Sequence, residues 1–340
     1  MKKNNLFAFV FSAAVIAFFT IACDFRMNDV GTQNWPTDKP VAPFMLRAAN
    51  IDEGVRLDWH APEGGAEIRG YEIYRWEGSR LGDIFGDTVV VGNITSWVDI
   101  AFNLIPGGTY VYEVRSFNGA GLSEETSNEI QIVVAPSPIQ DLRAKALSSR
   151  EIELNWTYAD GAEYYYVYRS KSADTSSFAR LDTIIYDNSF IDDDKGKGLE
   201  ALTTYYYRVR ASNLKDGHGG DAPLSNIASA RTRLAAPAGI KVEILSDIDP
   251  ARTKDSVKIS WEAVEGAAGY QLLFETGSAN ATWDLIISSG TNLVYIDTRF
   301  VEFGLMSGTT LFYGARAIEK LTPTNADEIG DMAVGSAIKK

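Results

Sequence analysis

The stretch TYVYEVRS, Thr109 to Ser116, alternates small or apolar side chains with polar ones, closes on an arginine, and comes back twice. It returns as TYYYRVRA from Thr204 to Ala211 and as TLFYGARA from Thr310 to Ala317. Alternation with a period of two is the mark of a β-strand with one face buried. Working outward, two more signatures accompany each copy in a fixed order. A strand ending in tryptophan precedes it: VRLDW to Trp59, IELNW to Trp156 and VKISW to Trp261. Between the two lies an aromatic, a β-branched residue and an aspartate: Trp97-Val98-Asp99, Phe190-Ile191-Asp192 and Tyr295-Ile296-Asp297. The tryptophans stand roughly 100 residues apart, which is the size of one β-sandwich. Sustained helical periodicity is absent, and Gly, Pro, Asn and Asp break the chain into short strands.

These details resemble the fibronectin type III family. Pro43, Pro138 and Pro237 stand where that family opens its first strand, and the three tryptophans stand where it fills its core. Gly70-Tyr71, Glu163-Tyr164-Tyr165 and Gly269-Tyr270 start the third strand. Leu104 to Tyr110, LIPGGTY, matches the turn into the sixth strand, where the resemblance implies a tyrosine corner. Tyr205 takes that place in the second unit and Leu311 in the third. Ser127-Asn128 and Ser225-Asn226 lie near the last strand, with Ser336-Ala337 in the third copy. The expected fold is all-β, with three tandem sandwiches over residues 40–134, 135–234 and 235–340. The joints, VVAPSP and LAAPAG, are short and proline-bearing, hence stiff.

The chain begins with Lys2 and Lys3, followed by an uncharged apolar run from Leu6 to Ala22. That is the layout of a signal peptide over residues 1–22. Thr20-Ile21-Ala22-Cys23 is similar to a bacterial lipobox, with Thr20 where that family usually has Leu. The resemblance implies lipidation of Cys23, the lone cysteine, and a tether over residues 23–39. The expectation is an exported protein held on the bacterial cell envelope by its N-terminal lipid, against the alternative of an uncleaved anchor.

A net charge of −13 argues against nucleic acid, whose binding needs a basic surface. One cysteine excludes an internal disulfide and a cysteine-based metal site. The two histidines, His60 and His218, are poor material for a nucleophile–base pair. Known catalytic motifs are absent, and three sandwiches leave no room for a catalytic domain. No enzyme, cofactor or metal is expected. Asp216, His218 and Asp221 could surround a metal, but their glycine-rich setting reads better as a hairpin; Asp192-Asp193-Asp194 reads as a turn after a strand.

One stretch exceeds what a core needs. AEYYYVYRS, Ala162 to Ser170, holds four tyrosines in five positions. Strand alternation turns Tyr165 and Val167 inward and Tyr164, Tyr166 and Tyr168 outward. On the next strand of that sheet the same rule turns Tyr206, Arg208 and Arg210 outward beside them. The matching places hold Glu72, Val111 and Glu113 in the first unit, and Gln271, Leu273 and Phe312 in the third, where a neighbour is expected to cover them. Trp76 and Trp283 lie near strand edges or loops, positions where exposure can occur, and alternation does not place them. The tyrosine cluster has two readings: cross-strand pairing, which suits tyrosine in any sheet, or a binding face, since Tyr and Arg dominate interaction hot spots. A partner would be a protein; the alternative is carbohydrate stacked on the rings.

Overall fold

A computed structural model describes residues 37–78, 87–100, 104–214, 219–246, 255–276, 283–299, 306–320, 323 and 325–339. The signal segment, Cys23 and most of the tether lie outside these residues, as do Asp216 and His218. The strands form tandem β-sandwiches around three separate cores.

In the first unit, β1 (Phe44–Ile51), β2 (Gly54–His60) and β5 (Ser96–Ile100) make one sheet in the order β1-β2-β5. Facing it are β3 (Gly70–Glu77), β4 (Asp87–Gly92), β6 (Thr109–Asn118) and β7 (Gly121–Leu122), in the order β4-β3-β6-β7, with β8 (Ile130–Val133) paired to β6. The second unit repeats the plan. β9 (Arg143–Ala146), β10 (Ile152–Asn155) and β13 (Ser189–Asp192) pair as β13-β10-β9; β11 (Tyr164–Ser170), β12 (Ala179–Ile185), β14 (Thr204–Ser212) and β15 (Ala228–Arg231) pair as β12-β11-β14-β15. In the third, β16 (Lys241–Ser246), β17 (Asp255–Ser260) and β20 (Val294–Asp297) form β16-β17-β20. They face β18 (Gly269–Thr276), β19 (Asp284–Ser289), β21 (Thr310–Ile318) and β22 (Ile329–Ile338), ordered β19-β18-β21-β22.

The repeated signatures are repeated contacts. Trp59, Trp156 and Trp261 are buried and meet Tyr71, Tyr165 and Tyr270 edge-on or tilted, at 5.3, 5.4 and 5.5 Å between ring centroids. Such geometry contributes beyond the area buried. The expected tyrosine corner forms twice. Ile105 N donates to Tyr110 Oη at 3.1 Å, and Glu200 N donates to Tyr205 Oη at 3.1 Å. Leu311 takes the equivalent place as a fully buried apolar side chain.

The aspartate of the middle signature is buried in every unit. Asp99, Asp192 and Asp297 are each at most 2 % exposed. Each accepts the hydroxyl of the tyrosine at the fourth position of the recurring strand: Tyr112 at 2.8 Å, Tyr207 at 2.8 Å and Tyr313 at 2.7 Å. An arginine neutralises each carboxylate, as a buried charge requires. Arg75 reaches Asp99 at 3.0 Å and Arg169 reaches Asp192 at 2.9 Å, both from the third strand of their unit. The third unit has Phe274 at that strand position, and Arg299 supplies the charge instead, at 2.6 Å from Asp297 and over the Phe274 ring. Burial, together with the carboxylate, pushes all three tyrosines well above the ordinary phenol range. Asp192 therefore closes β13 in the core; it is not part of a surface turn, as the acidic run suggested. Only Asp193 and Asp194 continue into the turn.

The Ser-Asn pairs are staples. Asn128 exchanges two hydrogen bonds with the backbone of Leu46, and Asn226 does the same with Leu142. Ser127 and Ser225 accept from Val114 N and Val209 N.

Candidate interaction face

The outer side of the β12-β11-β14-β15 sheet is where the sequence-derived candidates meet. β11 and β14 run antiparallel with Tyr166 opposite Arg210, Tyr168 opposite Arg208 and Ser170 opposite Tyr206. Directly opposed residues share a face, so Tyr164, Tyr166, Tyr168, Tyr206, Arg208 and Arg210 lie on one surface, all half-buried. Their inward neighbours Tyr165, Val167, Tyr205, Tyr207 and Val209 are core.

The face is internally braced. Tyr164 and Tyr166 pack edge to face at 5.3 Å, and Tyr164 Oη donates to Leu214 O at 2.8 Å. The bond to Tyr164, then burial, raises the Tyr166 phenol above its ordinary value. The Arg180 guanidinium sits 4.6 Å from the Tyr166 ring centroid, and that of Arg210 lies 5.8 Å from the Tyr168 ring. These are cation–π distances. Arg208 donates to Ser225 O at 2.9 Å and Leu224 O at 3.3 Å, while Arg210 pairs with Asp221 at 3.6 Å. Arg180 and Arg210 thus pack against the Tyr166 and Tyr168 rings, while Arg208 is held by backbone carbonyls. At the rim, Tyr186 is 73 % exposed and packs on Tyr164 at 6.4 Å; Ile184, opposite Tyr166 on β12, is 49 % exposed.

Arg180, Ile184 and Tyr186 escaped the sequence reading. A register irregularity between Tyr166 and Tyr168 in the β11–β12 pairing shifts β12, and alternation alone does not fix which of its residues face the tyrosines. The one available signal was Ile184-Ile185-Tyr186 itself, an apolar run at a strand end.

The other two units differ from expectation. In the first, Tyr74 and Trp76 stack at 6.1 Å with 17° between planes, on the same side as Glu72, and Tyr74 donates to Glu72 at 2.7 Å. Arg115 stands opposite Glu72. An aromatic and arginine-bearing outer face is therefore not confined to the second unit. Trp76, left unplaced by alternation, is buried, and Val111 and Glu113 are buried with it. In the third unit Gln271 and Leu273 are buried as anticipated, and Met332 and Trp283 of the same unit lie against Gly314, which stands opposite Leu273. Trp283 is itself half-buried.

Asp221, from the loop considered for metal, is held by Ser212 at 2.6 Å and by Arg210. Among the described residues no group of three or more His, Cys, Asp or Glu is arranged to hold a metal, and no helix is long and apolar enough to cross a membrane.

Residues 41–133 match the fibronectin type III domain. Exoglucanase B of Cellulomonas fimi is 24% identical over 92% of this chain, which spans 26% of that protein. Receptor-type tyrosine-protein phosphatase F of Bos taurus is 29% identical over 69% of this chain, which spans 12% of it. The chain thus covers about a quarter or less of either relative. The crystal structure of chicken CNTN1 FN1-FN3 domains covers 89% of the chain at 21% identity, with a TM-score of 0.30. The stretch that matches the fibronectin type III domain, residues 41–133, is the first of the tandem β-sandwiches.

Proposed function

We propose that this chain is a non-catalytic, exported lipoprotein of the bacterial envelope, anchored through Cys23, that carries its sandwiches outward and binds another protein through the outer face of the second one. The observation behind this reading is the Tyr166–Arg180 and Tyr168–Arg210 arrangement, with exposed Ile184 and Tyr186 at its rim. Rings already packed against guanidinium groups cost little conformational entropy when a partner lands on them, and Tyr and Arg are the side chains on which interfaces concentrate energy.

Carbohydrate binding is the second reading, favoured by the exposed Tyr186 ring and by a relative named Exoglucanase B. Sugars stack on open ring faces, whereas Tyr166 and Tyr168 each already carry a guanidinium against the ring. That favours protein over sugar. The test is capture from the source organism's envelope extract by the full chain and by its Tyr166→Ala/Tyr168→Ala/Tyr206→Ala variant, matched for melting temperature. A protein captured by the first and lost by the second supports the face, and weakening at Arg210→Ala with rising salt supports a protein partner. Equal capture by both chains rules the face out; capture of a polysaccharide in place of a protein favours the second reading.

A further inference from the structure

The joint between the first two sandwiches is bonded more tightly than a peptide linker requires. Asn50, near the end of β1, donates through Nδ2 to Val133 O at 2.9 Å and to Gly219 O at 3.1 Å, and accepts from Ala135 N at 2.9 Å. It therefore ties its own unit and the joint to a loop of the second sandwich. Asn213, just past β14, does the reverse. Its Nδ2 donates to Val134 O at 2.8 Å and Gly161 O at 3.1 Å, and its Oδ1 accepts from Gly220 N at 2.9 Å. It is 4 % exposed. Each sandwich thus lends one asparagine that bonds the backbone of the other unit or of the joint.

The backbones also touch. Gly107, in the turn before β6, and Gly161, in the turn before β11, meet so closely that a Cβ on Gly161 would lie 2.4 Å from Gly107 N. Both have φ near +77° (76° and 77°), so glycine is demanded by conformation and by space. A Cβ on Gly220 would fall 2.8 Å from Asn50 Nδ2. Gly107 N donates to Val134 O at 3.1 Å and Ser137 N to Asp160 O at 2.9 Å, so the joint's backbone is paired to both sides. Pro136 and Pro138 restrict what remains free.

We infer that the first and second sandwiches form one rigid body whose angle is fixed by the reciprocal Asn50 and Asn213 bonds and the Gly107–Gly161 contact. Opening the joint would break several of these bonds at once and exchange each for water. The consequence is directional. Asn213 is followed by Leu214, whose carbonyl holds Tyr164, so the lock fixes how the tyrosine face sits relative to the first sandwich.

The test uses the full chain with Cys23→Ser and spin labels at Thr88→Cys and Ser176→Cys, exposed positions in the first and second sandwiches. Pulsed electron–electron resonance should give one narrow distance distribution. Adding Asn50→Ala and Asn213→Ala should abolish the narrow peak and leave a broad distribution. Because Asn213→Ala also removes bonds within its own unit, Asn50→Ala alone is measured too, and should broaden the distribution with the cooperative unfolding of both units retained. A broad distribution in the unsubstituted joint overturns the inference, and so does a narrow peak that survives Asn50→Ala and the double change unaltered.

Discussion

Arg299 reaches Asp297 from two residues further along the same strand end, whereas Arg75 and Arg169 reach Asp99 and Asp192 from a different strand of their units. The third sandwich has thus kept the buried aspartate and its tyrosine and moved the cation. The requirement being met is physical: a carboxylate taken out of water needs a charge partner and hydrogen bonds, and which strand supplies them is secondary.

That interchange can be tested directly. Arg299→Ala should destabilise the third sandwich by about 1–3 kcal/mol, the cost of taking the charge partner from a buried carboxylate that keeps its bond from Tyr313. Adding Phe274→Arg, which restores the layout of the other two units, should recover part of the loss. Urea denaturation followed by intrinsic tryptophan fluorescence measures both, and no recovery in the double variant would show that strand position does matter.

Tyr207→Phe removes only the hydroxyl that Asp192 accepts at 2.8 Å. The expected loss is about 1–3 kcal/mol, because a buried acceptor loses a partner while packing is unchanged. Tyr205→Phe, which frees Glu200 N at the corner, should cost about 0.5–1.5 kcal/mol. Chemical denaturation of each variant should rank them in that order.

Acid should act on the third sandwich through Asp297. Burial opposes ionisation of this carboxyl, but the bonds from Arg299 and Tyr313 outweigh it and hold its pKa below the usual carboxylate range. A depressed folded-state pKa stabilises the fold above the unfolded value of about 4, and that contribution is lost as the pH falls through the folded value. Stability measured from pH 6 downward should therefore decline below about pH 4, and Arg299→Ala should flatten that decline.

Much of this was legible in the sequence, and what was not has identifiable causes. The strands and the inward tryptophans and tyrosines follow from alternation and from motifs that recur at one spacing; the corner at Tyr110 and Tyr205 follows from the resemblance to the fibronectin type III family. The outward side of Tyr164, Tyr166 and Tyr168 follows from the same period. Partners brought from other strands do not. Arg169 reads as the polar end of a strand until Asp192 is seen beside it. Asn50 and Asn213 stand out in no local pattern, since nothing near them in the chain shows that each faces a neighbouring sandwich. Trp76 stands near the end of its strand, where alternation does not fix exposure; stacking on Tyr74 and burial beside Val111 decide it.

The central claim is that the outer face of the second sandwich meets a protein, and site-specific photo-crosslinking tests it most directly. A benzoylphenylalanine is placed at Tyr168 in the full chain, expressed in the source cells, and compared with the same group at Ile191, 50 % exposed on the other sheet of that sandwich. The account predicts a discrete protein adduct from position 168 and none from position 191. Adducts from 191 alone, or none from 168, would contradict it and leave the tyrosines as cross-strand packing.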